Sequence, residues 1–165
     1  MSATQHRLIL LSAGFFCWLL IAFAYFYLEN TLYLAPCSLC MMQRLAFALI
    51  GSAFILEAIL WSKRPSVQFI MKLLKYFSIF FGILLASRHL YIQSLPADQV
   101  PACGLDFYGL MAQNSTLSAL WQAMQGSGDC ATKDDWLGLT IPLWSMIIYL
   151  LLLFVAIFTQ RPKNN

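Results

Sequence analysis

Four cysteines in this chain have the spacing and setting for sulfur chemistry. Cys37 and Cys40 form a Cys-x-x-Cys motif, while Cys103 and Cys130 stand alone further along the chain. Thiols in such positions carry out thiol–disulfide exchange, form structural disulfides that stabilise the fold, or bind a soft metal ion. The elements that hold them therefore have to be identified before a chemistry can be assigned.

The Cys-x-x-Cys motif follows Pro36 at the predicted start of an apolar helix. A spacing of three residues places Cys37 and Cys40 on one helix face, and Arg44 lies further along that face, beneath the pair. The partial positive charge of a helix N-terminus favours the thiolate, which is the nucleophile in disulfide exchange. This arrangement favours redox-active cysteines with a cation below them.

Other interpretations of the same residues remain open. The motif could be half of a zinc site completed by Cys103 and Cys130 or by His89, although the second Cys-x-x-Cys of a zinc ribbon is absent from the sequence. Both pairs could be inert structural disulfides, and Arg44 could merely anchor its helix among lipid headgroups. We predict no metal ligands.

The composition is that of a membrane protein. Of the 165 residues, 61% are hydrophobic and 10% are charged, and the mean hydropathy is +0.72. Such a chain has more apolar surface than a small water-soluble core can bury. Its net charge of +3 is spread over the ends of apolar runs, which argues against nucleic-acid binding. We expect one polytopic membrane domain over residues 1–165.

Four apolar stretches are long enough to cross a bilayer. They cover approximately residues 8–28, 41–61, 69–87 and 139–159. The first is too long for a signal peptide and has no cleavage site after it.

Individual residues within these stretches also have predicted roles. Lys72 and Lys75 lie close enough to the start of the third stretch to snorkel, and Glu57 is interpreted as a helix-end residue. Pro142 lies in the first turn of the fourth, where proline is tolerated. Cys17, within the first stretch, is expected to be inert.

Basic residues predict the orientation. One side of the predicted bundle carries most of them: Arg7, Lys63, Arg64, Lys72, Lys75, Arg161 and Lys163. The other side carries three basic residues and six acidic ones. Both termini are therefore predicted to be cytoplasmic, and the turn around Ser62 to Gln68 with them. The loops at 29–40 and 88–138, which hold all four cysteines, are predicted to face the oxidising compartment, where disulfides persist.

The long loop contains one helical signal. Ser115 or Thr116 can cap a segment whose apolar residues recur at helical spacing: Leu117, Leu120, Trp121 and Met124. This segment is too short to span a bilayer, and we expect it to lie in the membrane interface. Arg88 and His89 lie where this loop leaves the third stretch, and His89 could donate a hydrogen bond to a carbonyl.

Taken together, these motifs resemble the bacterial disulfide bond formation protein B family (DsbB). The resemblance covers nearly the whole chain and is carried by four sequence segments: Pro-Cys-Ser-Leu-Cys-Met-Met-Gln-Arg at 36–44, Arg-His at 88–89, Ser-Gly-Asp-Cys at 127–130, and Leu-Gly-Leu-Thr-Ile-Pro-Leu-Trp at 137–144. It implies an all-α membrane protein, a four-transmembrane-helix bundle whose long periplasmic loop carries a short interfacial helix. The segment before Leu137 is one residue shorter than in many members, so no family role is carried over to Trp136.

The resemblance implies a role for each site residue. Cys37–Cys40 and Cys103–Cys130 would be two redox-active disulfides, with Cys103 forming the mixed disulfide with a soluble partner. Cys40 would contact the ring of a quinone, ubiquinone or menaquinone. Arg44 would bind and polarise this quinone, and His89 would help to hold it.

The implied function is electron transport from thiols to the membrane quinone pool. The chain would reoxidise a DsbA-like periplasmic thiol oxidase from the bacterial inner membrane and so make disulfides de novo. A vitamin K epoxide reductase-like protein is disfavoured because its Cys-x-x-Cys lies toward the end of the bundle. A disulfide-stapled membrane scaffold or assembly factor is the remaining alternative, while a channel or carrier would require polar residues along the spans.

Overall fold

The computed structural model describes residues 3–60 and 65–159. Its helices are α1 (Ala3–Phe23), α2 (Ser38–Ile59), α3 (Pro65–Ser94), α4 (Phe107–Gln113), α5 (Thr116–Gln125) and α6 (Ile141–Phe158). A π-helical turn, Ala24–Glu29, continues α1. Four segments are long and apolar enough to cross a membrane: Thr4–Glu29, Ser38–Ile59, Ser66–Ser94 and Ile141–Phe158. The prediction of an all-α, four-helix membrane bundle is therefore confirmed.

The third span is longer than predicted. We expected it to cover 69–87, whereas α3 continues to Ser94, so that Arg88 and His89 belong to its last turns. The second span begins earlier than predicted, and Cys40 lies inside the first turn of α2. Of the predicted turn, residues 61–64 lie outside the described residues, as do Arg161 and Lys163.

Small residues allow the first two helices to approach closely. A Cβ atom added at Gly14 would lie 2.9 Å from the carbonyl oxygen of Gly51, and one at Gly51 would lie 2.9 Å from Cys17 Cβ. Helices in lipid gain little from the hydrophobic effect and associate through such close van der Waals contact. Cys17 is fully buried in this contact, and its inertness stays a prediction. Helix α3 packs between α2 and α6.

Lys75 does not snorkel, contrary to our prediction. Its side chain is 1% exposed and its Nζ lies 2.7 Å from Glu57 Oε2. Glu57 is correspondingly not a simple helix-end residue, because it supplies the counter-charge for a lysine inside the bundle. Glu57 lies at the opposite end of α2 from Cys37 and Cys40, and Lys75 reaches it from α3, so this pair is separate from the sulfur chemistry.

The long loop holds two short helices, of which only one was predicted. Helix α5 begins after Ser115, as the apolar periodicity indicated, but the serine side chain makes no capping hydrogen bond. Leu117 and Trp121 are exposed on α5, as expected for a helix lying in a membrane interface. Helix α4 was missed, although Asp106 caps it through a 3.1 Å hydrogen bond from Gly109 N.

A short hairpin leads into the last span. Strands β1 (Asp135–Trp136) and β2 (Leu139–Thr140) pair antiparallel. Leu137 and Gly138 form the turn between them, with φ of 54° and 81°. Positive φ at both central residues is the conformation of the tightest hairpin turns. The hairpin fixes Trp136 beside the start of α6, where Trp144 Nε1 donates a 2.9 Å hydrogen bond to Trp136 O.

Candidate functional site

The Cys-x-x-Cys motif lies at the N-terminus of α2. Cys37 is the N-cap residue, with φ of −69° and ψ of 168°, and Cys40 lies one turn into the helix. The Cys37 thiol donates to Cys40 Sγ over 3.3 Å. All five cysteines are free thiols in this structure, and the short sulfur–sulfur distance means that Cys37 and Cys40 can form a disulfide with little movement.

Cys130 lies beside Cys37, although it was predicted as the partner of Cys103. It is 1% exposed, within a 3₁₀ turn at Gly128–Ala131, and its Sγ is 3.8 Å from Ser38 Oγ. The ligand atoms of Cys37, His89 and Cys130 all lie within 4.8 Å of one another. These three residues are called the thiol–imidazole cluster below. The Cys103–Cys130 disulfide stays a prediction.

Close backbone packing brings the segment of Cys103 to Cys130. Gly128 N donates a 3.1 Å hydrogen bond to Ala102 O, and a Cβ atom at Gly128 would lie 2.4 Å from Pro101 O. Only glycine permits this approach. Cys103 itself is exposed, so one cysteine on these two neighbouring segments faces solvent while the other is buried against α2.

His89 is buried and oriented by Gln43. The Gln43 amide Nε2 lies 3.1 Å from His89 Nδ1, and His89 Nε2 lies 3.8 Å from Cys37 Sγ. With Nδ1 accepting from the amide, the neutral ring carries its proton on Nε2 and directs it at sulfur. Gln43 was not predicted as a site residue; its register, three residues beyond Cys40 on α2, is the signal that could have indicated it.

Hydrogen bonding within the reduced cluster raises two thiol pKa values. For Cys37 the hydrogen bond with Cys130 lowers the pKa, but the hydrogen bond with Cys40 and burial outweigh it and raise the pKa above its ordinary value. Cys130 donates a hydrogen bond to Cys37, and this bond, followed by burial, raises the pKa of Cys130. The expected thiolate-favouring effect of the helix N-terminus is therefore outweighed at Cys37 while all these sulfurs are reduced.

Cys40 and Arg44 line a cavity on the other side of the motif. It measures about 140 Å³ and lies between α1, α2 and the β1–β2 hairpin, with Phe47, Trp136 and Trp144 among its walls. Phe23 packs edge-on against Trp136, with ring centroids 5.3 Å apart. Trp136 and Trp144 were not predicted as site residues. The cavity is mainly apolar and aromatic, and its polar lining residues are Cys40, Gln43, Arg44, Asp134 and Ser145.

Arg44 forms an ion pair with Glu29, the last residue of the π-helical turn after α1. The guanidinium thus lies between a carboxylate and the cavity, and both side chains are mostly buried. The sequence placed Arg44 beneath the cysteines correctly but did not indicate this partner. His89 is not among the residues that line the cavity, and its predicted contact with a quinone stays a prediction.

Asp129 controls the pKa of the exposed thiol. The Asp129 carboxylate accepts a hydrogen bond from Cys103 and its charge repels the thiolate, and together they raise the pKa of Cys103. Asp129→Asn removes the negative charge, so the pKa should fall and the pH midpoint of alkylation should move to lower pH. Mass spectrometry of the Cys103 peptide after timed iodoacetamide treatment measures this midpoint.

Ser127→Ala is the matched control for this prediction. Ser127 Oγ donates to Asp129 Oδ2 over 3.4 Å, so its loss leaves the carboxylate charge in place and should move the midpoint much less. An Asp129→Asn midpoint that stays constant or rises would contradict the assigned cause.

Comparisons with known proteins agree with this geometry. The sequence profile described as "Disulfide bond formation protein DsbB" matches residues 6–159. A "Disulfide bond formation protein B" from Nitrosococcus oceani is 38% identical over 149 residues, covering 88% of this chain and 86% of the relative. Another from Hahella chejuensis is 38% identical over 156 residues, covering 90% and 93%.

The matched region contains both the four membrane-spanning helices and all four loop cysteines. A chance match through hydrophobic composition would not carry identity at this level over nine-tenths of two proteins of similar length. The chain therefore belongs to the DsbB family of disulfide bond formation proteins, which makes it a disulfide-forming oxidoreductase of the membrane.

Proposed function

We propose that this protein reoxidises a DsbA-like periplasmic thiol oxidase and passes the electrons to ubiquinone or menaquinone in the bacterial inner membrane. The observation that supports the proposal is the arrangement of the four cysteine sulfurs, which lie in sequence between solvent and the cavity. Cys103 is exposed, Cys130 lies on the adjoining segment against Cys37, and Cys40 borders the cavity. Electrons can follow this order through successive disulfide exchanges.

The size and lining of the cavity support binding of a quinone ring. An apolar cavity of about 150 Å³ accommodates benzene, and this one is of similar size, with aromatic walls. When bound, a quinone accepts two electrons and two protons. Arg44 would donate hydrogen bonds to a ring oxygen and stabilise negative charge there, and Cys40 supplies the neighbouring sulfur.

The sulfur steps follow from the positions of the four cysteines. A partner thiolate attacks Cys103 of the Cys103–Cys130 disulfide and releases Cys130. Cys130 then attacks Cys37 of the Cys37–Cys40 disulfide; this breaks the Cys37–Cys40 bond, forms a Cys37–Cys130 disulfide and releases Cys40 as a thiolate beside the cavity. The proton on His89 Nε2 would stabilise negative charge on Cys37 sulfur during this exchange.

Asp129 favours forward transfer. A thiol of higher pKa is a poorer leaving group, and Asp129 raises the pKa of Cys103. The partner's second thiol therefore displaces Cys103 more slowly, which leaves time for Cys130 to reach Cys37. This delay matters because the partner is a strong oxidant, whose reduction potential is near −120 mV whereas those of structural disulfides lie below about −300 mV. The reverse exchange is therefore favoured until Cys130 has reacted with Cys37.

The proposed orientation places the cysteines in the periplasm and both termini in the cytoplasm. It rests on the excess of basic residues at the terminal side. Burial of Lys75 removes one residue from that count, and Arg7 and Lys72 remain among the described residues.

The proposal is tested by mixing purified protein, excess quinone and a reduced thioredoxin-fold thiol oxidase. One quinol should form per partner disulfide, and Cys37→Ser or Cys40→Ser should abolish quinol formation. Cys17→Ser is the matched control, because Cys17 lies in the α1–α2 contact and should leave the yield unchanged. Resistance of all four loop cysteines to both the partner and quinone would instead favour the scaffold alternative.

A further inference from the structure

We propose that the reduced protein binds one thiophilic divalent cation, such as Zn²⁺, through the thiol–imidazole cluster of Cys37, Cys130 and His89, with solvent in the fourth position. This site goes beyond the proposed relay and requires neither quinone nor a protein partner. Its consequence is a reversible block of the enzyme that acts only on the reduced form.

The distances within the thiol–imidazole cluster are close to those of a tetrahedral metal site. Zinc bonds of about 2.3 Å to sulfur and about 2.0 Å to nitrogen imply S···S edges of about 3.8 Å and S···N edges of about 3.5 Å. Cys37 Sγ lies 3.8 Å from His89 Nε2. The three cluster ligand atoms lie within 4.8 Å of one another, so small side-chain rotations suffice.

The donor set selects the class of cation. Thiolates and imidazole favour Zn²⁺ and its thiophilic relatives, whereas Mg²⁺ and Ca²⁺ require oxygen ligands. The described residues offer no carboxylate as a further member of this cluster. The cluster is also largely shielded from water, with His89 2% and Cys130 1% exposed.

A second residue supports the histidine ligand. Zinc-bound imidazole normally donates its other ring N–H to an oxygen. Gln43 already contacts His89 Nδ1, and a half-turn of its carboxamide would present Oε1 to accept from Nδ1–H. Nε2 would then offer its lone pair to the ion, on the side where Cys37 Sγ lies.

Binding is an exchange of protons for metal without a redox change. Each thiol that ligates loses its proton to solvent, and Zn²⁺ and sulfur keep their oxidation states. In the oxidised protein the same sulfurs are engaged in disulfides and are not available as thiolates. Metal and disulfide formation therefore compete, and bound Zn²⁺ would hold the protein in its reduced form.

The test uses the purified full chain in detergent micelles, reduced and kept anaerobic, with Co²⁺ as the spectroscopic probe. We expect one Co²⁺ per chain, with sulfur-to-cobalt charge-transfer absorption that Zn²⁺ abolishes by displacement. His89→Ala and Cys130→Ser should each lower Co²⁺ affinity at least about 10-fold. Loss of a residue that only hydrogen-bonds to a metal ligand already costs about 10-fold or more. The oxidised chain should not bind.

Cys103→Ser is the matched control, because Cys103 is exposed and outside the cluster; it should leave Co²⁺ affinity unchanged. Cys130→Ala and His89→Gln, checked for helicity, separate ligand loss from misfolding. Full affinity in both cluster variants would overturn the proposal, since Cys37 and Cys40 alone would then account for binding. No binding by a reduced chain that still forms quinol would also overturn it, while leaving the proposed relay intact.

Discussion

Arg44→Met is expected to lower the rate of quinol formation about 100-fold or more, the usual cost of removing one preorganised donor from a developing oxyanion. Arg44 is the cationic side chain in the cavity wall, next to Cys40, and methionine keeps an unbranched side chain without the charge. Quinol formation is measured by absorbance with purified protein and reduced partner. Arg44→Lys, which keeps the charge but loses the planar donors, should retain an intermediate rate.

Thiol exchange should survive this substitution, because Arg44 does not belong to the thiol–imidazole cluster. In the absence of quinone, the mixed disulfide between Cys103 and the partner should accumulate as in the parent protein, as judged by acid quenching and alkylation. Loss of the mixed disulfide together with quinol formation would indicate a damaged fold and contradict the role given to Arg44.

Glu29 makes a matched control necessary for this experiment. Arg44→Met leaves the Glu29 carboxylate without the guanidinium that pairs with it, and an unpaired charge could itself disturb the cavity. The double variant Glu29→Gln with Arg44→Met removes both charges. If the cationic donor is what matters, the double variant should be as slow as Arg44→Met. Recovery of the parent rate would instead assign the effect to the unpaired carboxylate.

The part of the site that lies on one helix could be predicted from the sequence. Cys40 and Arg44 both line the cavity because a separation of four residues places them on one face of α2. Cys37, the N-cap residue, lies instead beside His89. Likewise, apolar length predicted the four spans, and a short periodic segment predicted α5. In each case the deciding interaction is local in the chain or is the interaction of one segment with lipid.

Contacts between distant segments could not be predicted in this way. Cys130 reaches Cys37 because Gly128 lets two loop segments approach closely, and nothing in the spacing of these cysteines encodes that approach. Glu29 reaches Arg44 only because a π-helical turn follows α1. Trp136 lines the cavity because the hairpin positions it there. The turn of this hairpin has positive φ at Leu137, and leucine is not a residue type from which such a turn is predicted.

For Lys75, too, the sequence did not indicate a contact between distant segments; here a side chain predicted to reach the membrane surface is buried. Proximity to a span end suggested snorkelling, but α3 begins earlier than its apolar stretch, so that Lys75 lies deeper than the sequence indicated. Its Nζ lies 5.4 Å from the Phe54 ring centroid as well as beside Glu57. A charge in this setting is stable because its counter-charge is present, and this makes the pair a strong test of the fold.

Glu57→Gln is therefore expected to destabilise the protein by about 3–5 kcal/mol, the typical cost of breaking a buried ion pair and leaving one charge uncompensated. Lys75, at 1% exposure, cannot recover solvation without disrupting the α2–α3 contact. The free energy of unfolding in mixed detergent micelles measures the effect. Lys72→Met is the matched control, because Lys72 lies on the same helix but is partly exposed; its substitution should change stability by less than about 0.5 kcal/mol.

The double variant Glu57→Leu with Lys75→Met tests whether the loss of stability comes from an uncompensated charge or from changing these two positions at all. Apolar replacements of similar size remove both desolvation penalties, so the double variant should be far more stable than Glu57→Gln and can match the parent. Because the pair lies at the far end of α2 from Cys37, protein that remains folded should keep its rate of quinol formation. A Glu57→Gln protein as stable as the parent would contradict the burial of Lys75, and a folded double variant that lost quinol formation would connect this pair to the redox site.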